Sequence, residues 1–131
     1  MWQRIQTLFM LIAAVLMVVH LIIPSGSIEE TAIYTLDNIL ATILSCLAIV
    51  LALAAISMFK NRKRQLILNW ISTAAIAVLY ILWMLGTDRS EETYQVEWGM
   101  YLPGFAALFL LLANFRIRKD QNIVDSMDRL R

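Results

Sequence analysis

Few side chains in this sequence have the types and spacing that chemistry requires. His20 is the one histidine and Cys46 the one cysteine, so the chain offers no Cys/His cluster at zinc spacing and no cysteine pair for redox work. A glycine-rich phosphate loop, a nucleophile elbow and a facing pair of acids are also missing from the sequence. We therefore expect no enzyme, no catalytic or metal-ligating residues and no cofactor, with Cys46 as a small buried packing residue.

Five glutamates form the next candidate group, in two segments that separate apolar stretches. They are Glu29, Glu30, Glu91, Glu92 and Glu97. Carboxylates could bind a cation or a basic partner, although solvated loop charges are the simpler interpretation. For the histidine, the corresponding hypothesis is a pH-sensitive contact with Glu29 or Glu30.

The elements that must position these residues are predicted to be membrane helices. The composition is 60% hydrophobic and the mean hydropathy is +0.70, against about 45 to 50% apolar residues in soluble proteins. Four apolar stretches approach the length of about 20 residues that crosses a hydrocarbon layer. They lie at 5–23, 39–59, 66–86 and 97–115. The sequence predicts an all-α integral membrane four-helix bundle, one domain over 1–131 with a tail at 116–131.

Basic residues fall almost entirely on one side of the predicted bundle. Ten of the eleven lysines and arginines precede helix one, lie in the connection 60–65 or follow helix four, and Arg89 is the exception. An excess of Lys and Arg marks the cytoplasmic side, so we predict a multi-pass membrane protein with both termini in the cytoplasm.

The connection between helices two and three is itself a candidate binding segment. Its basic residues are Lys60, Arg62, Lys63 and Arg64. They could attract anionic lipid or a membrane or cytoplasmic protein, although membrane topology alone would select the same residues. No nucleic-acid partner is expected.

Small residues recur along one face of the second predicted helix. Ala41, Ser45, Ala48, Ala52 and Ala55 are spaced by four, three, four and three positions, which places them on one stripe. Lipid gives helices little hydrophobic reason to associate, so contacts depend on small residues that let backbones approach closely. We predict a helix-packing seam here.

A path for a solute is the alternative hypothesis for the helix faces. A small oligomeric transporter or channel would need Thr42, Ser45, Asn69, Ser72 and Thr73 to converge on one cavity. No Asp, Glu, Lys or Arg lies deep in a predicted span, whereas proton-coupled transporters place ionisable groups there. This distribution disfavours a small proton antiporter.

The end of the chain, DQNIVDSMDRLR, has the pattern of a short amphipathic helix that begins at Asp120. Its apolar face consists of Ile123, Val124, Met127 and Leu130. Three placements stay open, namely the membrane surface, the underside of the bundle and another protein. On the bundle, Asp125 and Asp128 would pair with Arg4, Arg62 or Arg64.

Four stretches that occur in order along the chain carry a family resemblance. They are MWQRIQTLFMLIAAVL, NRKRQ, WGMYLPG and KDQNIVDSMDRLR. Together they resemble an uncharacterised family of small four-helix inner-membrane proteins from Bacteroidota, whose members open with an IQRIQT-like stretch and close with DRLR. The resemblance covers nearly the whole chain, with Trp2 where a smaller apolar residue is expected. It implies location and fold class, and carries over no catalytic residue.

These features favour a non-enzymatic accessory or scaffold subunit with a cytoplasmic interaction face. The residues predicted for recognition or internal tethering are Gln3, Arg4, Gln6, Arg62, Arg64, Asp125, Asp128, Arg129 and Arg131. The alternative is a small oligomeric transporter or channel, or a lipid-binding membrane protein.

Overall fold

Four long helices make up most of the chain in a computed structural model, which describes residues 2–86 and 94–129, with side chains from residue 5 onward. The helices are α1 (Trp2–Ile22), α2 (Ile39–Ser57), α3 (Arg62–Gly86) and α4 (Leu102–Arg129). α1 packs against α2 and α4, and α3 packs against the same two helices. All four are long and apolar enough to cross a membrane, as the sequence predicts.

Alanines and a few larger apolar side chains fill the centre of the bundle, and many aliphatic side chains cover its outside. Met10, Met17 and Leu79 are almost completely buried among alanines from all four helices. Leu8 and Val50, by contrast, are more than half exposed. Such an apolar outer surface is typical of proteins that contact lipid or another apolar partner.

The face of α2 that enters this centre is its row of small residues. The buried residues of α2 are Ala41, Ser45, Ala48, Ala52 and Ala55. The hydroxyl of Ser72 on α3 donates a hydrogen bond of 3.0 Å to the carbonyl oxygen of Ala48, which requires the two helices to approach closely. Cys46 lies next to this row and is exposed, so the prediction that it is buried is wrong.

A small antiparallel sheet covers one end of the bundle, which we call the sheet end. The start of α1 and the end of α4 lie at the opposite end, which we call the terminal end. β1 (Gly26–Ile28) lies between β2 (Thr31–Ile33) and β3 (Tyr94–Val96). The two residues of the β1–β2 turn, Glu29 and Glu30, have φ angles of 46° and 68°, as this kind of tight turn requires. The all-α prediction missed the sheet, because three-residue strands are too short to produce an alternating pattern.

α4 begins later and ends later than the fourth predicted span. A 3₁₀ turn occupies Trp98–Met100, and α4 then runs without a break for 28 residues. At 1.5 Å per residue it is about 42 Å long, against about 30 Å for a hydrocarbon layer. The C-terminal helix predicted as a separate element is instead the last part of α4, because no Gly or Pro interrupts residues 105–129. We call residues 120–129 the α4 extension.

Candidate functional site

A groove opens at the terminal end between the α2–α3 connection and the α4 extension. Its volume is about 400 Å³. Its lining consists of Lys60, Asn61, Arg62, Lys63, Gln121 and Val124. We call it the basic groove, because three of its six lining residues are cations and the other three are uncharged. A concave surface with charges of one sign attracts a ligand of the opposite sign, so the groove suits an anion.

Asn61 explains why these cations converge. Its side-chain Oδ1 accepts a hydrogen bond of 3.3 Å from the backbone N–H of Arg64, and its carbonyl oxygen accepts one of 3.0 Å from the backbone N–H of Gln65. This capping starts α3 at Arg62, ahead of the predicted start at 66. The first turn of α3 therefore carries Arg62 and Lys63, where the positive end of the helix dipole adds to their charge.

One donor of Arg62 lacks a partner. The side chain is half-buried, and its Nη1 atom is buried with no hydrogen-bond partner among the described residues. A guanidinium group can bind a phosphate or carboxylate through two parallel hydrogen bonds. Beside it, the ammonium of Lys60 lies 6.0 Å from the ring centroid of Phe59. An anionic group in the basic groove would lie beside this guanidinium group and could accept from its other N–H groups.

A hydrogen bond beside the groove connects α1 to α4. Gln6 is only 5% exposed, and its Nε2 donates to the carboxylate of Asp120, the residue that precedes Gln121 of the groove lining. One turn further along α1, Met10 accepts a contact of 3.7 Å at its sulfur from Nε2 of Gln65 on α3. These contacts join three helices at the terminal end, so the α4 wall of the groove is held in place.

The structure separates the residues predicted for recognition. Gln6 takes part in the α1–α4 hydrogen bond and Arg62 lines the groove, whereas Arg64 is exposed and stands outside the lining. The exposed residues of the α4 extension include Asp125, Asp128 and Arg129. No ion pair joins either carboxylate to Arg62 or Arg64 within the part of the chain that the structure describes. The side chains of Gln3 and Arg4, and all of Arg131, lie outside the described residues.

Three of the five polar residues that a solute path would need are hydrogen-bonded to backbone carbonyls. The hydroxyl of Thr42 donates to two carbonyls of the segment before α2, at 3.0 Å each. Ser72 donates to a carbonyl of α2, and Thr73 donates to the carbonyl one turn back on its own helix. Ser45 and Asn69 are completely buried. Hydroxyls that bond to backbone carbonyls serve helix packing, whereas Oγ of Ser45 and the side-chain amide of Asn69 have no hydrogen-bond partner among the described residues.

A buried polar cluster at the sheet end was not predicted. His20 is 1% exposed; its Nδ1 lies 2.7 Å from the carbonyl oxygen of Gly99 and its Nε2 lies 3.0 Å from Oγ1 of Thr35. That hydroxyl lies 2.9 Å from Oγ of Ser25. A carbonyl can only accept, so Nδ1 donates to it, and Nε2 of the neutral ring accepts from Thr35. The cluster joins α1 to both connections at the sheet end, and His20 makes no bond to the glutamates of the β1–β2 turn.

The fold defines a class of protein, a bundle of four helices that are each long and apolar enough to cross a membrane, with a small sheet at one end. Within that class, the chain belongs to the family described as Domain of unknown function (DUF4293), which matches residues 2–130. The resemblance to an uncharacterised family is thereby confirmed. Comparison with curated proteins and with solved structures finds no match in either.

Proposed function

We propose that this protein is a non-enzymatic integral protein of the bacterial inner membrane, with both termini in the cytoplasm, which acts as a scaffold and binds anionic lipid at its terminal end. Four helices of sufficient length and hydropathy support the multi-pass arrangement. The orientation is supported by the ten basic residues, of eleven, that the sequence places on the side of the termini. The terminal end then faces the cytoplasm.

The convergence of Lys60, Arg62 and Lys63 on the basic groove is the observation that carries the lipid-binding proposal. The groove begins at Lys60, directly after Phe59, which is half exposed and ends the apolar stretch 39–59. This position corresponds to the headgroup layer of a bilayer. A phosphate there would accept a hydrogen bond from Arg62 and lie near two further cations. Each basic residue near an anionic membrane surface contributes about 1 kcal/mol.

Lipid retention in native mass spectrometry tests this proposal. We expect the full-length protein in mild detergent to retain phosphatidylglycerol in preference to phosphatidylcholine. The double variant Lys60→Gln, Arg62→Gln should weaken that retention by roughly thirtyfold, if each cation contributes about 1 kcal/mol. Arg62→Gln alone should weaken retention by about fivefold, and Arg64→Gln is the matched control for this single variant, because it removes one charge from the same segment outside the groove lining. Equal loss in the control, or no preference between the two lipids, contradicts the proposal.

The α4 extension is the second part of the proposed interaction face. Ile123, Val124 and Met127 share one side of it and are 45%, 47% and 61% exposed. They lie beyond the length of helix that a hydrocarbon layer accommodates, so the membrane does not cover them. An amphipathic helix with an open apolar side is a common docking element, which another helix or a groove covers. This feature supports a scaffold role in which a membrane or cytoplasmic protein binds the extension.

Variants of exposed residues test the scaffold role better than truncation, because removal of the α4 extension would also remove the Asp120 carboxylate that binds Gln6. We expect Ile123→Ser with Met127→Ser to lose a protein that the wild type retains during purification from its own membranes. The control is Asn122→Ser, at an exposed polar position of the same extension. A partner lost equally from the control, or retained by the double variant, contradicts docking on this face.

The transporter or channel alternative has weaker support. Three of its five polar residues, Thr42, Ser72 and Thr73, donate to backbone carbonyls, and the row of small residues on α2 is buried in the bundle. Flux of solutes into proteoliposomes that is abolished by Ser45→Ala would restore this alternative.

A further inference from the structure

A second cavity lies at the sheet end, where the start of α2 and the end of α3 meet the β-sheet. Its volume is about 290 Å³. Three aromatic residues and two polar ones give the lining its chemical character, and aliphatic side chains complete it. These five residues are Tyr34, Asp37, Asn38, Trp83 and Tyr94. We call this cavity the aromatic pocket. It is separate from the basic groove, which lies at the other end of the bundle.

The pocket has a fixed acid at its edge. The carboxylate of Asp37 accepts a hydrogen bond of 2.9 Å from the backbone N–H of Tyr34, which closes the 3₁₀ turn Thr35–Asp37. The next residue, Asn38, uses its side-chain Oδ1 to accept hydrogen bonds from the first turn of α2. Both polar groups therefore occupy defined positions, and Asp37 keeps further acceptor capacity, because a carboxylate offers about four acceptor sites.

The aromatic walls are also held in place. Tyr94 is paired with Ile28 across the sheet, and its ring packs over Gly26, where an added Cβ would lie 2.6 Å from the tyrosine Oη. Trp83 lies in the last turn of α3 and is half-buried. Rings that are fixed in this way can present their faces to a ligand without a large loss of side-chain entropy.

The charge of the pocket selects the ligand class. Asp37 is the only charged residue among the described residues that line it, and the exposed Glu29 and Glu30 lie in the adjoining β1–β2 turn. Aromatic faces beside a carboxylate bind organic ammonium ions through cation–π attraction and charge pairing. We propose that the aromatic pocket binds an organic ammonium group, either on a phospholipid headgroup or free in solution.

The position of the pocket along the bundle makes a phospholipid headgroup a suitable source of the ammonium group. The pocket lies where two apolar helices end, at the same end of the bundle as the exposed rings of Trp98 and Tyr101. Exposed Trp and Tyr at helix ends are typical of the interface between lipid and water, which is where the ammonium of phosphatidylethanolamine lies. A free ammonium compound would reach the same pocket from the aqueous side.

Two arms of one experiment test the proposal and distinguish the sources. In the lipid arm, native mass spectrometry compares phosphatidylethanolamine with phosphatidylglycerol on the full-length protein. We expect Asp37→Asn and Trp83→Leu each to lower retention of phosphatidylethanolamine by about fivefold, with phosphatidylglycerol unaffected. Asp37→Asn keeps the oxygen that caps Tyr34, so its fold is preserved. Trp98→Leu is the control, because this tryptophan is 78% exposed and stands outside the lining.

In the soluble arm, saturation-transfer NMR on nanodiscs compares choline with 3,3-dimethylbutanol, its uncharged analogue of the same shape. Choline contact that the Asp37 and Trp83 variants abolish, while phosphatidylethanolamine retention is unaffected, identifies a free ammonium ligand. Dependence in the lipid arm identifies the headgroup. If the variants alter neither arm, or if they act equally on the uncharged analogue, the proposal is overturned. Phosphatidylglycerol retention reports on the basic groove separately, so the two proposals fail independently.

Discussion

Replacement of His20 by leucine is the most informative test of how the sheet end is held together. The imidazole is buried and donates through Nδ1 to the carbonyl of Gly99, while Nε2 accepts from the hydroxyl of Thr35. Leucine removes both bonds, and leaves a buried carbonyl and a buried hydroxyl with one partner fewer. Because Thr35 retains its contact with Ser25, the larger part of the cost should come from Gly99.

The size of the effect follows from these two bonds. Hydrogen bonds between membrane helices average about 0.6 kcal/mol and reach about 1.7 kcal/mol, and a buried group left unsatisfied costs about 1 to 3 kcal/mol. We therefore expect His20→Leu to lower the free energy of unfolding by about 2 kcal/mol. His20→Asn should recover about half of that loss, since its amide nitrogen occupies nearly the position of Nδ1 and can still donate to Gly99.

Reversible unfolding in mixed detergent micelles, followed by tryptophan fluorescence and circular dichroism, measures these differences. His20→Gln serves as the second arm, because its terminal amide reaches the position of Nε2 and keeps the contact with Thr35. A double-mutant cycle with Thr35→Val isolates that contact. The cluster does not hold the sheet end together if the free energy of unfolding of His20→Leu lies within about 0.5 kcal/mol of the wild type, which is the range of ordinary surface substitutions. The same conclusion follows if the Leu, Asn and Gln variants of His20 are equally stable.

Three further predictions concern the packing of the bundle. Gly99→Ala should destabilise the protein by about 2 kcal/mol, since the added Cβ would lie 2.4 Å from the carbonyl oxygen of Pro24. Gly86→Ala, where no atom lies within 4 Å of the added Cβ, should have no measurable effect on stability. Equal unfolding midpoints for the two variants would show that the loop around Gly99 can move away. Gln6→Leu and Asp120→Leu should show a coupling of about 1 to 2 kcal/mol in a double-mutant cycle, because the hydrogen bond between Gln6 and Asp120 is charge-assisted. Additive effects on stability would mean that the two side chains act separately. Ala48→Leu should lower the free energy of unfolding by about 1 to 3 kcal/mol through overpacking, because Ala48 is 1% exposed. Val50→Leu, at an exposed position, should leave stability unchanged. Similar losses of stability in both variants would contradict the packing role of the seam.

The helices of the protein could be predicted because each one needs only a local pattern. About 20 apolar residues identify a spanning segment whatever its neighbours are, and the spacing of Ala41, Ser45 and Ala48 identifies a face of α2 without knowledge of the helix that covers it. The residues at which the helices begin and end were harder to predict from the sequence. α3 starts at Arg62 because Asn61 caps it, and the basic run that follows Asn61 looks like a loop when only its charge is considered.

The sites at the two ends depend on contacts between distant parts of the chain, so the sequence carries little sign of them. His20 binds a backbone carbonyl 79 positions away, and no side-chain pattern marks a carbonyl. The basic residues of the groove were predicted as a lipid-binding candidate, but helical geometry places Arg62 in the lining and Arg64 outside it. Gln121 is part of the lining only because α4 continues past the expected end of the span. The aromatic pocket combines residues from three separate segments.

The basic groove and the aromatic pocket lie at opposite ends of the bundle, and helix contacts occupy the part between them. Alanines and methionines make up much of its centre, and Ser72 and Thr73 of α3 donate to backbone carbonyls, so these hydroxyls serve the packing of the helices. The ends differ in charge, because the basic groove carries three cations whereas the aromatic pocket carries one carboxylate. A bilayer presents phosphate groups in both leaflets, but only zwitterionic headgroups add an ammonium. The two ends are therefore suited to different parts of the lipid surface, and an exchange of lipid composition should affect retention at one end without affecting the other.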